Sequence, residues 1–290
     1  MKRFEIYFMD LLALILLIGS FFLPYLGDFN GKLAISKDSL IMLINCYLIA
    51  YLAYIISFMD TRKVVLMALP LLIYSILLIF FMRNFNFSLE KEMINELKYI
   101  VSNLFNLIFV VFIFFLIDLI LNRLLGSKLE GAIAIIGLIL YLVMQNTNYL
   151  PFVFYYKDTL VYFSFYVMGA RIRPANSMRK GLFILAILLL AGEIYLNYYF
   201  KYYPKLNFSL FIISYLILKD STDVDIMNRD RYLVFSYIYP YKLIYILFKA
   251  LIEASPLVIT LLSVLSVFLL GEFLYKLRIK ILDYILVGVH

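Results

Sequence analysis

Long apolar stretches separated by short polar gaps run along the whole chain. Several of them, such as residues 182–190 and 258–270, contain no charged side chain. A predominantly apolar run of roughly 17–25 residues is long enough to cross the hydrocarbon of a bilayer as a helix. The pattern predicts an all-α, polytopic bundle of about ten transmembrane helices in a single integral membrane domain over residues 1–290, with eight spans as the alternative. The predicted spans are 11–27, 39–59, 64–82, 99–121, 131–145, 159–170, 182–200, 207–218, 232–250 and 257–275.

Two neighbouring spans, 131–145 and 159–170, are shorter than a bilayer requires. They are separated by the polar segment 145–151, which ends in Pro151 and predicts a break in the helix. Either both helices take in neighbouring residues, or both are re-entrant segments. Irregular backbone inside a membrane is tolerated only where protein or water covers it.

Composition supports a membrane setting. Hydrophobic residues make up 65% of the chain and charged residues 16%, too few to cover a soluble core of this size. Tryptophan is absent, so the 26 tyrosines are expected to supply the aromatic belt at the membrane surfaces. Tyr47, Tyr51 and Tyr54 follow helical spacing and are interpreted as belt residues. The alternative is a platform on which a sugar or nucleotide stacks.

The net charge of +7 predicts an orientation rather than a nucleic-acid partner. With ten spans, 17 of the 26 lysines and arginines fall on the side of the N-terminal segment and the even-numbered loops. Because basic residues collect in cytoplasmic loops, both termini are expected in the cytoplasm, with the bundle in a bacterial cytoplasmic membrane. The densest basic loop, Arg171–Lys180, lies on the same side.

Several common chemistries lack their residues in this chain. Cys46 is the only cysteine, which excludes an internal disulfide, and His290 is the only histidine. The sequence therefore predicts no metal site, no bound cofactor and no catalytic histidine. It also contains no Gly-rich nucleotide loop and no nucleophile elbow.

Charged residues inside predicted spans are the main functional candidates, because a charge in a bilayer is costly. Glu193 and Lys242 both fall near the middle of their spans and are predicted to interact. The pair is interpreted either as a salt bridge that fixes the fold or as a substrate or proton site. Asp118 and Glu272 lie nearer the cytoplasmic ends of their spans.

Five segments together resemble the acyltransferase-3 family of polytopic membrane acyltransferases. The first is the helix entry that contains Asp10, which resembles the family's first-helix motif. The second is a basic loop leading into a helix with a proline, and the third is a helix end of the form Phe-x-x-x-Gly. The fourth contains Ser-Tyr-Ile-Tyr, which resembles the family's Ser-Tyr-x-Ile-Tyr segment, and the fifth is the end of the last span. In this chain they are residues 3–14, 61–71, 163–171, 231–240 and 274–277.

The resemblance implies an enzyme that O-acylates an envelope glycan or lipid, with acyl-CoA or another acyl thioester as donor. Under this hypothesis the cytoplasmic residues Arg62, Arg171 and Arg173 hold the donor's phosphates by charge-assisted hydrogen bonds, and Lys242 is a further substrate-binding candidate. The alternative for the three arginines is that they are ordinary basic residues of the cytoplasmic loops. The family's first-helix Arg position is occupied here by Ala13, and residues 19–24 contain no histidine to act as the base.

Without that histidine, the expected base is a carboxylate, with Asp10 first and Glu193 second. The alternative for Asp10 is a carboxylate that caps the entry of the first helix. The alternative for the whole chain is a non-enzymatic polytopic protein, either a small-solute transporter or an envelope-assembly scaffold. Under that alternative, Glu193 and Lys242 line a path or lock the bundle.

Overall fold

A computed structural model describes residues 2–25, 37–67, 69–70, 73–74, 76–77, 106–144, 151–172, 180–199, 208–219 and 229–288. Over these residues the chain is helical and contains no strand, so the predicted all-α class is confirmed. The helices are α1 Lys2–Phe22, α2 Lys37–Ile56, α3 Thr61–Leu66, α4 Asn106–Leu125, α5 Ser127–Met144, α6 Pro151–Arg171, α7 Lys180–Tyr199, α8 Phe208–Lys219, α9 Arg229–Ile238, α10 Pro240–Leu251, α11 Pro256–Leu277 and α12 Lys280–Leu286. A short 3-10 turn, Leu23–Tyr25, follows α1.

One described helix, α11, is long and apolar enough to cross a membrane. Four shorter apolar helical segments accompany it in the described part of the chain, and the ten-span arrangement remains a prediction. These segments are Met9–Phe22, Leu40–Ile56, Leu129–Leu142 and Ile184–Leu196.

The two spans that the sequence pattern predicts as short, 131–145 and 159–170, correspond to longer helices in the structure. Helix α5 has 18 residues and α6 has 21, so both take in neighbouring residues, as the first of the two alternatives predicted. At a rise of about 1.5 Å per residue they are roughly 27 and 32 Å long. The predicted break at 145–150 lies outside the described residues.

The predicted span 232–250 is interrupted, which the hydrophobic pattern did not indicate. Helix α9 ends at Ile238, and α10 begins at Pro240. Proline at the first position of a helix is favourable, but its ring and missing N–H interrupt a helix that continues through it. Pro240 was therefore the available signal for this break.

The described chain separates into two units that are discontinuous in sequence. Unit 1 comprises Met1–Met9, Leu23–Phe58 and Val111–Val224, and unit 2 comprises Asp10–Phe22, Met59–Val110 and Asp225–His290. In unit 1, α6 packs against α2 and α5, and α7 packs against α8. In unit 2, α11 packs against both α9 and α10.

The tyrosines of α2 lie in the core of unit 1. Tyr47, Tyr51 and Tyr54 are buried, and the Tyr47 hydroxyl donates to the Met9 carbonyl. A belt residue must reach the membrane surface, so the belt interpretation is wrong for these three side chains. Their helical spacing reflects a face of α2 that packs inside the unit.

Helix α11 buries two hydroxyl residues inside unit 2 and exposes a row of large apolar side chains. Thr260 and Ser263 are fully buried, and each hydroxyl donates to the carbonyl four residues earlier. The outward face consists of large apolar residues, and Leu269 at its centre is 67% exposed. A helix at a water-facing surface carries polar residues on its exposed face instead. The exposed apolar residues of this face are Leu257, Val258, Leu261, Leu265, Leu269 and Phe273.

Candidate functional site

Asp10 on α1 and Arg231 on α9 are two deeply buried charges of unit 2. Their side chains are 0% and 2% exposed. Arg231 Nε donates to Asp10 Oδ1 at 3.2 Å, and Nη2 donates to Oδ2 at 3.3 Å. Two parallel N–H···O bonds of this kind form a bidentate pair, which fixes orientation as well as charge. The pair therefore neutralises the carboxylate that the sequence selects as the first candidate base.

Asp10 does not cap the first helix. Helix α1 begins at Lys2, so Asp10 lies more than two turns inside it. A capping side chain precedes the first turn and satisfies its free N–H groups. The capping interpretation is therefore wrong, and the role of Asp10 as a base stays a prediction.

Further buried hydrogen bonds within unit 2 connect α9 and the residue that follows it to other helices. The Tyr232 hydroxyl, next to Arg231 in sequence, donates to Asp283 Oδ1 on α12 at 2.5 Å. The Tyr239 hydroxyl donates to the Met67 carbonyl at 2.6 Å, just after α3. Because these groups are buried, each hydrogen bond avoids the cost of an unpartnered polar atom.

A second charged cluster lies in unit 1 where α4, α5 and α6 meet. Arg171, the last residue of α6, donates through Nη2 to Asp118 Oδ1 at 3.0 Å and to Glu130 Oε2. Glu130 is fully buried, whereas Asp118 is 17% and Arg171 32% exposed. Gly126, with φ of 78°, connects α4 to α5 and brings the two carboxylates to one end of the helices.

The two carboxylates of this cluster make Arg171 a less favourable ligand for phosphate. One guanidinium faces two carboxylates, so the three groups together carry a formal charge of −1. The two carboxylates beside the guanidinium repel a phosphate that approaches it. Arg62 is exposed on α3, Arg173 lies outside the described residues, and the phosphate role of all three arginines stays a prediction.

Glu193 has a partner that the sequence did not indicate. Its carboxylate accepts from the Ser209 hydroxyl at 2.6 Å and from the Ser209 backbone N–H at 3.3 Å. Ser209 is the second residue of α8, so Glu193 of α7 satisfies a free N–H of that helix. The side chain of Lys242 lies outside the described residues, and the predicted pairing of Glu193 with Lys242 stays a prediction.

Comparisons with protein-family models, with curated proteins and with solved structures find no match to this chain.

Proposed function

We propose that this chain is a polytopic integral membrane protein of the bacterial cytoplasmic membrane with both termini in the cytoplasm. The observation that supports the membrane setting is the exposed face of large apolar residues on α11, whose opposite face buries Thr260 and Ser263 together with apolar residues. Lipid tails favour such an exterior. Buried hydroxyls and small residues are typical of the contacts between membrane helices.

The orientation is tested by cysteine labelling. In a Cys46→Ser background, a membrane-impermeant maleimide applied to intact cells should label Asn95→Cys and leave Asn176→Cys unmodified, because the loop 171–180 carries the basic residues of the cytoplasmic side. Permeabilised cells should show labelling at both positions, which controls for reactivity. Labelling of Asn176→Cys from outside intact cells would reverse the orientation.

We further propose that the protein is of the acyltransferase-3 type and O-acylates an envelope glycan or lipid from an acyl thioester. The supporting observation is that separate segments with the family resemblance contact one another within unit 2. Asp10 of the first segment binds Arg231 of the fourth, although they are 221 residues apart in sequence. Tyr239 of the fourth bonds to Met67 of the second, and the rings of Tyr232 and Tyr275 lie 5.5 Å apart.

The candidate residues of this proposed reaction have the roles that were predicted from the sequence. Asp10 is the first candidate to take the proton from the acceptor hydroxyl, and Glu193 is the second. Arg62 and Arg173 are the candidates that hold the phosphates of acyl-CoA. Acyl transfer from a thioester to a hydroxyl releases the free thiol of the donor, which gives a direct readout.

The second candidate is a non-enzymatic polytopic protein, either a small-solute transporter or an envelope-assembly scaffold. One observation favours it: Asp10 is completely buried and held by Arg231 through both carboxylate oxygens. A base must reach its substrate and must have a lone pair available to accept the proton. A carboxylate in this state resembles a structural ion pair, so acyl transfer has to be measured directly.

Inside-out membrane vesicles that contain the full chain should transfer radiolabelled acyl groups from acyl-CoA to envelope glycan or lipid. Asp10→Asn should abolish transfer, because an amide cannot accept the proton. Arg62→Ala should raise KM for acyl-CoA and leave kcat little changed, because phosphate contacts far from the reacting carbonyl contribute equally to ground and transition states. His290→Ala and Glu253→Gln, an exposed carboxylate, should retain full activity.

The outcomes separate the two candidates. Absence of transfer by the unaltered chain would refute the acyltransferase proposal and favour the non-enzymatic candidate. Full activity of a folded Asp10→Asn protein would remove Asp10 as the base. Thermal unfolding of each variant in detergent distinguishes loss of chemistry from loss of structure.

A further inference from the structure

The short connection between α11 and α12 exposes basic and large apolar side chains in alternation. Residues 276–281 have the sequence Lys-Leu-Arg-Ile-Lys-Ile, and all six are exposed. Of the apolar residues, Leu277 is 43%, Ile279 44% and Ile281 71% exposed. We call residues 276–281 the basic segment. It presents three positive charges and three large apolar side chains at the surface of unit 2.

Carboxylates do not neutralise the basic segment. In the part of the chain that the structure describes, none of its three cations forms an ion pair. Asp283, three residues further along, is buried and accepts a hydrogen bond from the Tyr232 hydroxyl. Glu272, one turn before Lys276 on α11, is half-buried. The surface of the segment therefore carries an excess of positive charge.

Helix stability accounts for only part of this charge. The C-terminal end of α11 favours the cations of Lys276 and Arg278. Arg278, however, has φ of 48° and ψ of 41°, the left-handed conformation that glycine or asparagine adopts most readily. Lys280 is the first residue of α12, where the partial positive charge of a helix start disfavours a cation. A ligand of opposite charge would favour all three side chains.

The basic segment is held in place on unit 2 by its neighbours. The Arg278 guanidinium donates to the Tyr275 hydroxyl at 3.2 Å and lies 5.1 Å from the centre of that ring. Beyond the segment, the Tyr74 hydroxyl donates to the Leu286 carbonyl at 3.2 Å, and this bond holds α12. Five residues of chain span at most about 14 Å, so the three cations stay within the width of one or two lipid headgroups.

We propose that the basic segment binds the phosphate of an anionic phospholipid. Its cations would form charge-assisted hydrogen bonds to the headgroup, and Leu277, Ile279 and Ile281 would contact the upper part of the acyl chains. A water-soluble phosphate compound would leave these apolar side chains uncovered, which favours a lipid. The proposal rests on the proposed membrane setting, in which the end of α11 faces the cytoplasmic leaflet, where anionic lipids attract basic segments. It does not rest on acyl transfer.

The test uses the absence of tryptophan from the chain. Ile281→Trp places one fluorescent reporter in the basic segment, and Leu188→Trp, at an exposed position on α7, is the matched control. Each full-length variant is reconstituted in phosphatidylcholine vesicles with a minor fraction of phosphatidylglycerol, and either lipid carries brominated acyl chains that quench tryptophan. Quenching at Ile281→Trp should show a preference for phosphatidylglycerol of about fivefold or more, the effect of one cation at an anionic lipid surface. The control should show no preference.

Charge removal tests whether the three cations cause the preference. The combined change Lys276→Gln, Arg278→Gln and Lys280→Gln should reduce the preference at Ile281→Trp to that of the control. An unchanged preference, or equal preference at both reporters, would overturn the lipid site and leave the membrane setting standing. Quenching of neither reporter by either brominated lipid would refute the membrane setting itself. Loss of the preference in sodium pyrophosphate, but not in sodium chloride of equal ionic strength, would assign the cations to a water-soluble phosphate and overturn the lipid assignment.

Discussion

Removal of one partner of the buried pair, by Asp10→Leu or Arg231→Met, should lower the free energy of unfolding by about 3–5 kcal/mol. Each change leaves a charge in the interior of unit 2, where Asp10 and Arg231 are almost completely inaccessible. The double variant should recover most of this loss, because apolar side chains of similar volume leave no uncompensated charge. The pair thus behaves as a fixed contact between α1 and α9.

The measurement is unfolding of the purified protein in detergent, followed by circular dichroism, for the parent, both single variants and the double variant. Arg62→Met is the matched control, since Arg62 is exposed on α3 and its replacement should leave stability almost unchanged. A double variant as unstable as the sum of the single variants would show that the two side chains do not interact.

The same double variant separates structure from chemistry. If it folds and still transfers acyl groups, Asp10 serves only to hold Arg231. If it folds and transfers none, the carboxylate or the guanidinium takes part in the reaction. Single variants cannot make this distinction, because each disturbs the charge balance of the interior as well as the candidate base.

The sequence predicted helices well wherever apolar runs lacked proline or a polar interruption. The extension of α5 and α6 beyond their apolar cores was one of two alternatives, because Lys128 and Glu130 precede the first core and Lys157 and Asp158 precede the second. The break between α9 and α10 was missed, although Pro240 marked it. Hydropathy averages over a window and does not register a single missing backbone N–H.

The sequence identified individual residues of the candidate site, but it did not identify the residues that they contact. Asp10 was selected because it matches the first-helix Asp of the family that the chain resembles, but its partner is 221 residues away. Arg231 stands at the boundary of a predicted span, where basic residues are ordinary. Glu130 was likewise assigned to a polar loop, although it is fully buried against Arg171. Periodicity describes the face of one helix and carries no information about which other helix covers it.

Gly169 marks a close approach between α6 and α2 in unit 1. A Cβ atom added there would overlap the backbone carbonyl of Ala50, so α6 and α2 are separated by less than a side chain at this point. The sequence showed Gly169 only as part of a helix end of the Phe-x-x-x-Gly form. Small residues that allow such approach are typical of contacts between membrane helices.

Gly169→Ala should therefore lower the free energy of unfolding by about 3 kcal/mol, because the new methyl group meets backbone, which cannot rotate away as a flexible side chain would. The matched control is Gly192→Ala on α7, where an added Cβ meets no atom within 4 Å. Alanine is about 1 kcal/mol more favourable than glycine inside a helix, so this variant should be unchanged or slightly more stable. Unfolding in detergent measures both. Equal stability of the two variants would contradict the close packing of α2 on α6, since helix propensity acts in the same direction at both positions and only the contact with Ala50 differs.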